Sequence, residues 1–399
     1  MAPIPRLRNY DGPALFSYGF RPFFLFGALY AGLAILIWLP LFSGRIELSS
    51  AFTARDWHVH EMLYGFVPAI VTGFLLTAIP NWTGRLPIQG APLAFLFAMW
   101  VAGRVAVALS VSIGWAAAAA IDVAFLTLVA AAAAREIAAG KNWGNLKVVA
   151  IVSLLACGNL LFHLEAHFHG SADYSVRLGV AAVILLISIV GGRVVPSFTR
   201  NWLARHGSGR MPRPFGRYDL ITIAASAGAL TAWIANPFSA VTGVVLIGAG
   251  CLQLVRLATW AGDRTLADRL VLVLHVGYAF VPLGFLLVGI AAFGLIAPSA
   301  GIHAWTGGAA GTMTLAVMTR ASLGHTGSPL EASVGTQTIY AAVVIGALTR
   351  VCAGIHPEWS MPLLTFSGVV WATAFLGFVV FYARMLCSNQ RILATRTAA

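Results

Sequence analysis

Long stretches of this chain carry no charge and no alternation of apolar with polar residues, as in LGVAAVILLISIV at 178–190. A helix that crosses a bilayer needs about 20 predominantly apolar residues. The strands of a membrane barrel would instead alternate. Such runs recur, punctuated by Pro, Gly and charge, and predict helices over roughly 20–41, 57–79, 91–112, 114–136, 146–167, 175–196, 219–236, 238–259, 270–292, 300–320, 334–354 and 361–383. The expected fold is all-α, a polytopic membrane protein with twelve transmembrane helices and both termini cytoplasmic. Of the 399 residues 59% are hydrophobic and 10% charged, which excludes a soluble enzyme of this length and a receptor with a large soluble domain.

The formal charge of +12 would suggest a nucleic-acid partner in a soluble protein. Here it reports orientation, with the lipid bilayer as partner and no nucleic acid. Twenty of the 25 Lys and Arg fall on the N-terminal side and in the connections after even-numbered helices. Four, Arg45, Arg55, Arg177 and Arg350, fall on the opposite side, and Arg104 lies within a span. That asymmetry follows the positive-inside rule. The N-terminal segment carries charge without a short apolar core and small-residue cleavage site, and reads as a retained cytoplasmic lead-in. A single integral membrane domain, 1–399, is expected, with halves 1–196 and 219–399 joined by a basic cytoplasmic loop, 197–218. No sequence repeat relates the halves, so an inverted-repeat transporter lacks direct support.

The four cysteines, Cys157, Cys251, Cys352 and Cys387, are scattered singly, and no C-x-x-C-H occurs. Covalent haem attachment and a zinc ribbon are thereby disfavoured. The informative residues are the polar ones at membrane depth, which are costly there and usually paired or functional. Arg104 and Asp122 lie about nine residues either side of a tight turn near Ile113, about 13 Å from it by the helical rise. They are expected to form a buried ion pair.

The topology assigns depths to the ten histidines. His58 and His60 open the second helix at its outer end. His163 and His167 lie at the outer end of the fifth, with His169 beyond. His303 opens the tenth, also outside. Clustered imidazoles point to metal, of which neutral imidazole is the commonest protein ligand. His163 and His167, at i and i+4, share a face. His58 and His60 point about 160° apart on a helix and should serve different partners. His58 shares a face with Glu61, Met62 and Gly65, and His60 with Tyr64. His303 is followed at i+4 and i+8 by Gly307 and Gly311, a bare stripe that suits helix packing or a flat macrocycle held axially by the histidine. His275 lies near the inner end of the ninth helix, roughly 15–20 Å in depth from His303. The two should not ligate one iron, so His275 is either a second site or structural. His206 and His325 fall in cytoplasmic connections.

Five segments in order give the chain a wider resemblance. They are FSYGFRPFFLFG (16–27), WHVHEMLYGFVPAIVTGFLLTAIPNWTG (57–84), GGRVVPSFTRNW (191–202), LHVGYAFVPLG (274–284) and HAWTGGAAGTMTLAVMTRASLGHTGSPL (303–330). Together they resemble the NnrS family of bacterial membrane proteins. The resemblance implies a twelve-helix protein of the bacterial cytoplasmic (inner) membrane containing haem and copper, tied to nitric oxide metabolism in denitrification and related settings. The haem would be b-type and non-covalent. The histidines within the matching motifs are His58, His60, His275, His303 and His325. His163, in GNLLFHLEAHFHG, is similar to the family's fifth-helix histidine, whereas His167 rests on spacing alone. Arg193 and Arg320, inside matching motifs, could neutralise haem propionates or anchor the membrane interface.

Three functions compete. The first is an oxidoreductase that binds and reduces nitric oxide at haem, with Glu61 and Tyr64 as proton carriers or as partners orienting a ligand histidine. It would need a membrane quinol or an external electron donor. The second is a non-enzymatic haem or copper protein of nitric oxide resistance or sensing. The third is a transporter whose histidines carry protons.

Overall fold

The structure is a computed structural model that describes residues 10–207 and 209–388. Four of the basic residues behind the orientation argument, Arg6, Arg8, Arg391 and Arg396, lie outside the described residues. Among the described residues the chain is helical throughout, without a strand. Eleven helices are long and apolar enough to cross a membrane. They are α1 (Phe20–Phe42), α2 (Ala54–Thr83), α3 (Ala91–Ala108), α4 (Trp115–Ala139), α5 (Leu146–His169), α6 (Asp173–His206), α7 (Arg217–Ala235), α8 (Ala240–Ala258), α9 (Arg269–Ala291), α11 (Val334–Ile355) and α12 (Ser360–Cys387). Between α9 and α11 runs α10 (298–325), which is built from Pro298–His303, Ala304–Gly311 and Thr312–His325. Its Gly, Thr and His residues dilute its hydropathy, and it is not among those eleven.

Local chemistry sets the helix ends. Thr53 accepts the Asp56 amide at the start of α2, and Asp268 accepts those of Leu270 and Val271 at the start of α9. The turn from α3 to α4 passes through Gly114 at φ +87°, a conformation that glycine reaches without a Cβ penalty. Two segments wind more loosely than an α-helix, Glu61–Phe66 within α2 and Ala304–Gly311 within α10. Each is a π-helical insert and each begins directly after a histidine, His60 or His303. Inserts of this kind are rare and concentrate at functional sites.

The chain packs as two compact units. One takes the chain up to Val176, with Val317–Pro329 and the chain from Phe375 on. The other takes Arg177–Ala316 and Leu330–Ala374. In the first unit Phe23, Phe24 and Phe125 are fully buried, and Gly27 and Gly73 let α1 and α2 approach. In the second, Trp305 packs edge-on to Phe285 and donates to the Val281 carbonyl at 3.0 Å. Close approach at small residues is the packing expected of helices in lipid.

Candidate metal centre

The α3–α4 hairpin forms as the spacing requires, and it brings Arg104 and Asp122 together as a buried ion pair. Arg104 does more than pair with Asp122. Its other nitrogen donates to Glu61 Oε2 at 2.7 Å, so one guanidinium bridges two carboxylates. Glu61 is fully buried and is also bonded by the Tyr30 hydroxyl. Its second oxygen accepts from His60 Nδ1 at 2.8 Å. His60 Nε2 in turn lies 3.1 Å from Asp122 Oδ2 and 2.9 Å from Asn159 Oδ1. His163 Nε2 lies 3.1 Å from the same Asp122 oxygen, which also accepts from Asn159 Nδ2 at 2.8 Å.

His60, Asp122 and His163 therefore aim one atom each at a common point, with all three atoms within 4.8 Å of one another and all three residues buried. Among the described residues this is the one such group of His, Cys, Asp and Glu. The donors suit a metal. A ligating histidine usually gives its other ring N–H to a carboxylate, which fixes the ring and raises its basicity. Glu61 does this for His60. Two carboxylates against one guanidinium also leave the cluster with a net negative charge, which a proton or a metal ion at the imidazoles would offset. An uncompensated buried charge would be costly.

Not every predicted residue of α2 reaches this point. His58 and His60 part company as expected, for His58 stacks on Trp38 at 4.1 Å between ring centroids. Glu61 does not stay on the His58 face but joins His60. Tyr64 is beside His60 as expected, 5.6 Å between centroids, but its hydroxyl donates to the Ser175 carbonyl. Glu61 is held by three partners, Tyr30, His60 and Arg104, and the Tyr64 hydroxyl by the backbone.

His167 is not brought to the centre. It is exposed and stacks on Trp115 at 4.0 Å, one turn beyond His163 and outside the buried layer. The expected His163–His167 pair is corrected to His163 with Asp122. Phe52, from the loop before α2, packs at 5.0 Å from His60 and 5.1 Å from His163. Sequence reasoning missed Tyr30, Phe52 and Asn159. Asn159 sits one turn before His163 on α5, a spacing that flags it once His163 is chosen.

The remaining predicted residues are dispersed. His303 is half-buried, and its Nδ1 donates to the Ser299 carbonyl at 2.7 Å. A side chain at Gly307 would meet nothing within 4 Å, so that position faces open space. Gly311 is different, for a Cβ there would lie 2.7 Å from Trp371. The bare stripe is thus open at Gly307 and filled by Trp371 at Gly311. His275 is buried and paired with Thr199 Oγ1 at 2.8 Å. His325 packs beside the rings of Tyr18 and Phe20. Arg193 is exposed on α6 and Arg320 half-buried on α10.

The second unit holds a buried ionic cluster of its own. Arg256, one of the twenty basic residues counted on the cytoplasmic side, is fully buried and donates to Asp219 at 2.8 Å and to the Tyr278 hydroxyl at 2.8 Å. The tight fit around Gly192 admits its guanidinium. The four cysteines are all exposed and free.

A family model described as NnrS protein matches residues 14–390. Comparison with curated proteins and with solved structures gives no match. The match covers α11 and α12 as well, beyond the segments whose motifs first suggested it. A chain matched over nearly its whole length, with its motif histidine His60 in a buried His–Asp–His group that could hold a metal ion, belongs to the NnrS family.

Proposed function

We propose that this protein is a twelve-helix oxidoreductase of the bacterial cytoplasmic membrane, with both termini inside, that binds nitric oxide at a haem and reduces it with the help of a metal ion at His60, Asp122 and His163. The observation that carries the reading is the buried His–Asp–His triad with a carboxylate behind its central imidazole. Family membership fits a haem- and metal-containing protein of nitric oxide chemistry. Apolar helices of spanning length fit a multi-pass membrane protein, with α10 as the twelfth span.

His303 would hold the haem from one side, since its Nδ1 is fixed by a backbone carbonyl and the adjoining Gly307 position is open. Haem with an open axial position supplies the binding of a diatomic gas. Arg193, in the same unit as His303, remains the proposed propionate partner. His58, His275 and His325 are further histidines of the matching motifs, and the first two would test for a second haem or metal site. Glu61 orients His60, Arg104 and Tyr30 hold Glu61, and Asn159 holds Asp122. Phe52 covers the imidazoles against water. Joining two nitric oxide molecules into nitrous oxide and water consumes two electrons and two protons, which a membrane quinol or an external carrier would supply.

The test is spectroscopic and kinetic. The purified protein should give a haem reduced-minus-oxidised spectrum, a shift on adding nitric oxide, and gas consumption with an electron donor. Haem or metal without turnover would replace this reading by a non-enzymatic role in nitric oxide resistance or sensing. Absence of both haem and metal would overturn it in favour of a transporter.

A further inference from the structure

We propose that the ion at His60, Asp122 and His163 is non-haem iron(II) rather than the copper that the family resemblance implies. The inference rests on the reading of the triad as a metal centre. Copper(I) is a soft ion best served by thiolate and thioether, whereas two imidazoles and one carboxylate with open positions are the facial set of non-haem iron(II). No sulfur stands among the donors here, and all four cysteines are exposed. The nearest further donor is an oxygen, Asn159 Oδ1, 2.9 Å from His60 Nε2.

Two details of the cluster sharpen the choice. Asp122 Oδ1 is engaged by Arg104, so Asp122 can offer only Oδ2. The carboxylate is thereby limited to one bond, which leaves the rest of the coordination sphere to exogenous ligands. In addition, Asp122 Oδ2 lies 3.1 Å from each imidazole nitrogen. That one oxygen therefore sits between the two rings, placed to share an ion with both of them. The carboxylate behind His60 makes that imidazole a stronger donor, which also favours a divalent ion. With Glu61 and Asp122 against Arg104, a divalent ion leaves one positive charge, suited to an anionic exogenous ligand.

The test uses the full-length protein, purified from cells supplied with both iron and copper. Metals are quantified by mass spectrometry and haem by its pyridine complex. A sample grown on Mössbauer-active iron is examined for high-spin ferrous iron outside haem. The expected result is about one iron per chain beyond the haem iron, with the ferrous non-haem signal. Copper or zinc at one per chain, with all iron accounted for by haem, would overturn the iron assignment while leaving the metal-centre reading intact. No metal beyond haem iron would overturn both. Asp122→His, which turns the set into three imidazoles, should cut the non-haem iron occupancy by tenfold or more in protein that retains its haem.

Discussion

Replacing Arg104 by Leu isolates the electrostatics on which the centre stands. The guanidinium bridges Glu61 and Asp122, both within the apolar interior of the first unit. Its removal leaves two buried carboxylates with only the two imidazoles and the neutral Tyr30 and Asn159 side chains as partners. Breaking a buried ion pair by deleting one partner costs about 3–5 kcal/mol, because the survivor is left uncompensated. The two contacts share one side chain, so the costs do not simply add. For chains above roughly 200 residues each kcal/mol moves the melting temperature by about 2 °C, giving an expected drop of about 6–10 °C. The assay is thermal unfolding of the detergent-solubilised protein, followed by intrinsic tryptophan fluorescence. Arg104→Lys keeps the charge but cannot span two carboxylates as a planar fork, and should fall between Leu and the parent. Adding Glu61→Gln and Asp122→Asn to Arg104→Leu should recover most of the lost stability while abolishing metal binding. A drop under about 2 °C for Arg104→Leu, or no recovery in the triple variant, would refute the charge argument.

Three further outcomes follow from the packing. His303→Ala should remove the haem absorbance from purified protein, and Gly307→Phe should lower haem occupancy by filling the open notch; unchanged haem in both would remove His303 from the site. Gly311→Ala should instead destabilise by about 1–3 kcal/mol through overpacking against Trp371, with haem content unchanged in the folded fraction. Gly192→Ala places a Cβ 2.8 Å from Arg256 Cζ and should lower the melting temperature without altering the metal content of the first unit.

The helices, the α3–α4 hairpin and its ion pair were legible in the sequence. Hydropathy locates spans, and a turn of fixed length sets matched depths for Arg104 and Asp122. The separate fates of His58 and His60 were legible too, since two residues on a helix point apart. The partners across helices were not. Whether His163 meets Asp122 or His167 depends on the rotation of α5 against α4, and His167 is drawn off by Trp115. The looser winding at Glu61–Phe66 and Ala304–Gly311 leaves no hydropathy signal, yet within α10 it breaks the Gly307–Gly311 stripe. The burial of Arg256 is likewise hidden in the sequence, because its Asp219 partner lies on a neighbouring helix.

The central claim is that the buried triad, and not the outer histidines in general, holds the metal ion. His163 and His167 stand one turn apart on α5, so their separate replacement by Ala is the most direct comparison. Metal beyond haem iron, measured per chain in each purified variant, should fall to background in His163→Ala and remain at the parent level in His167→Ala. Equal retention in the two, or equal loss, would contradict the account.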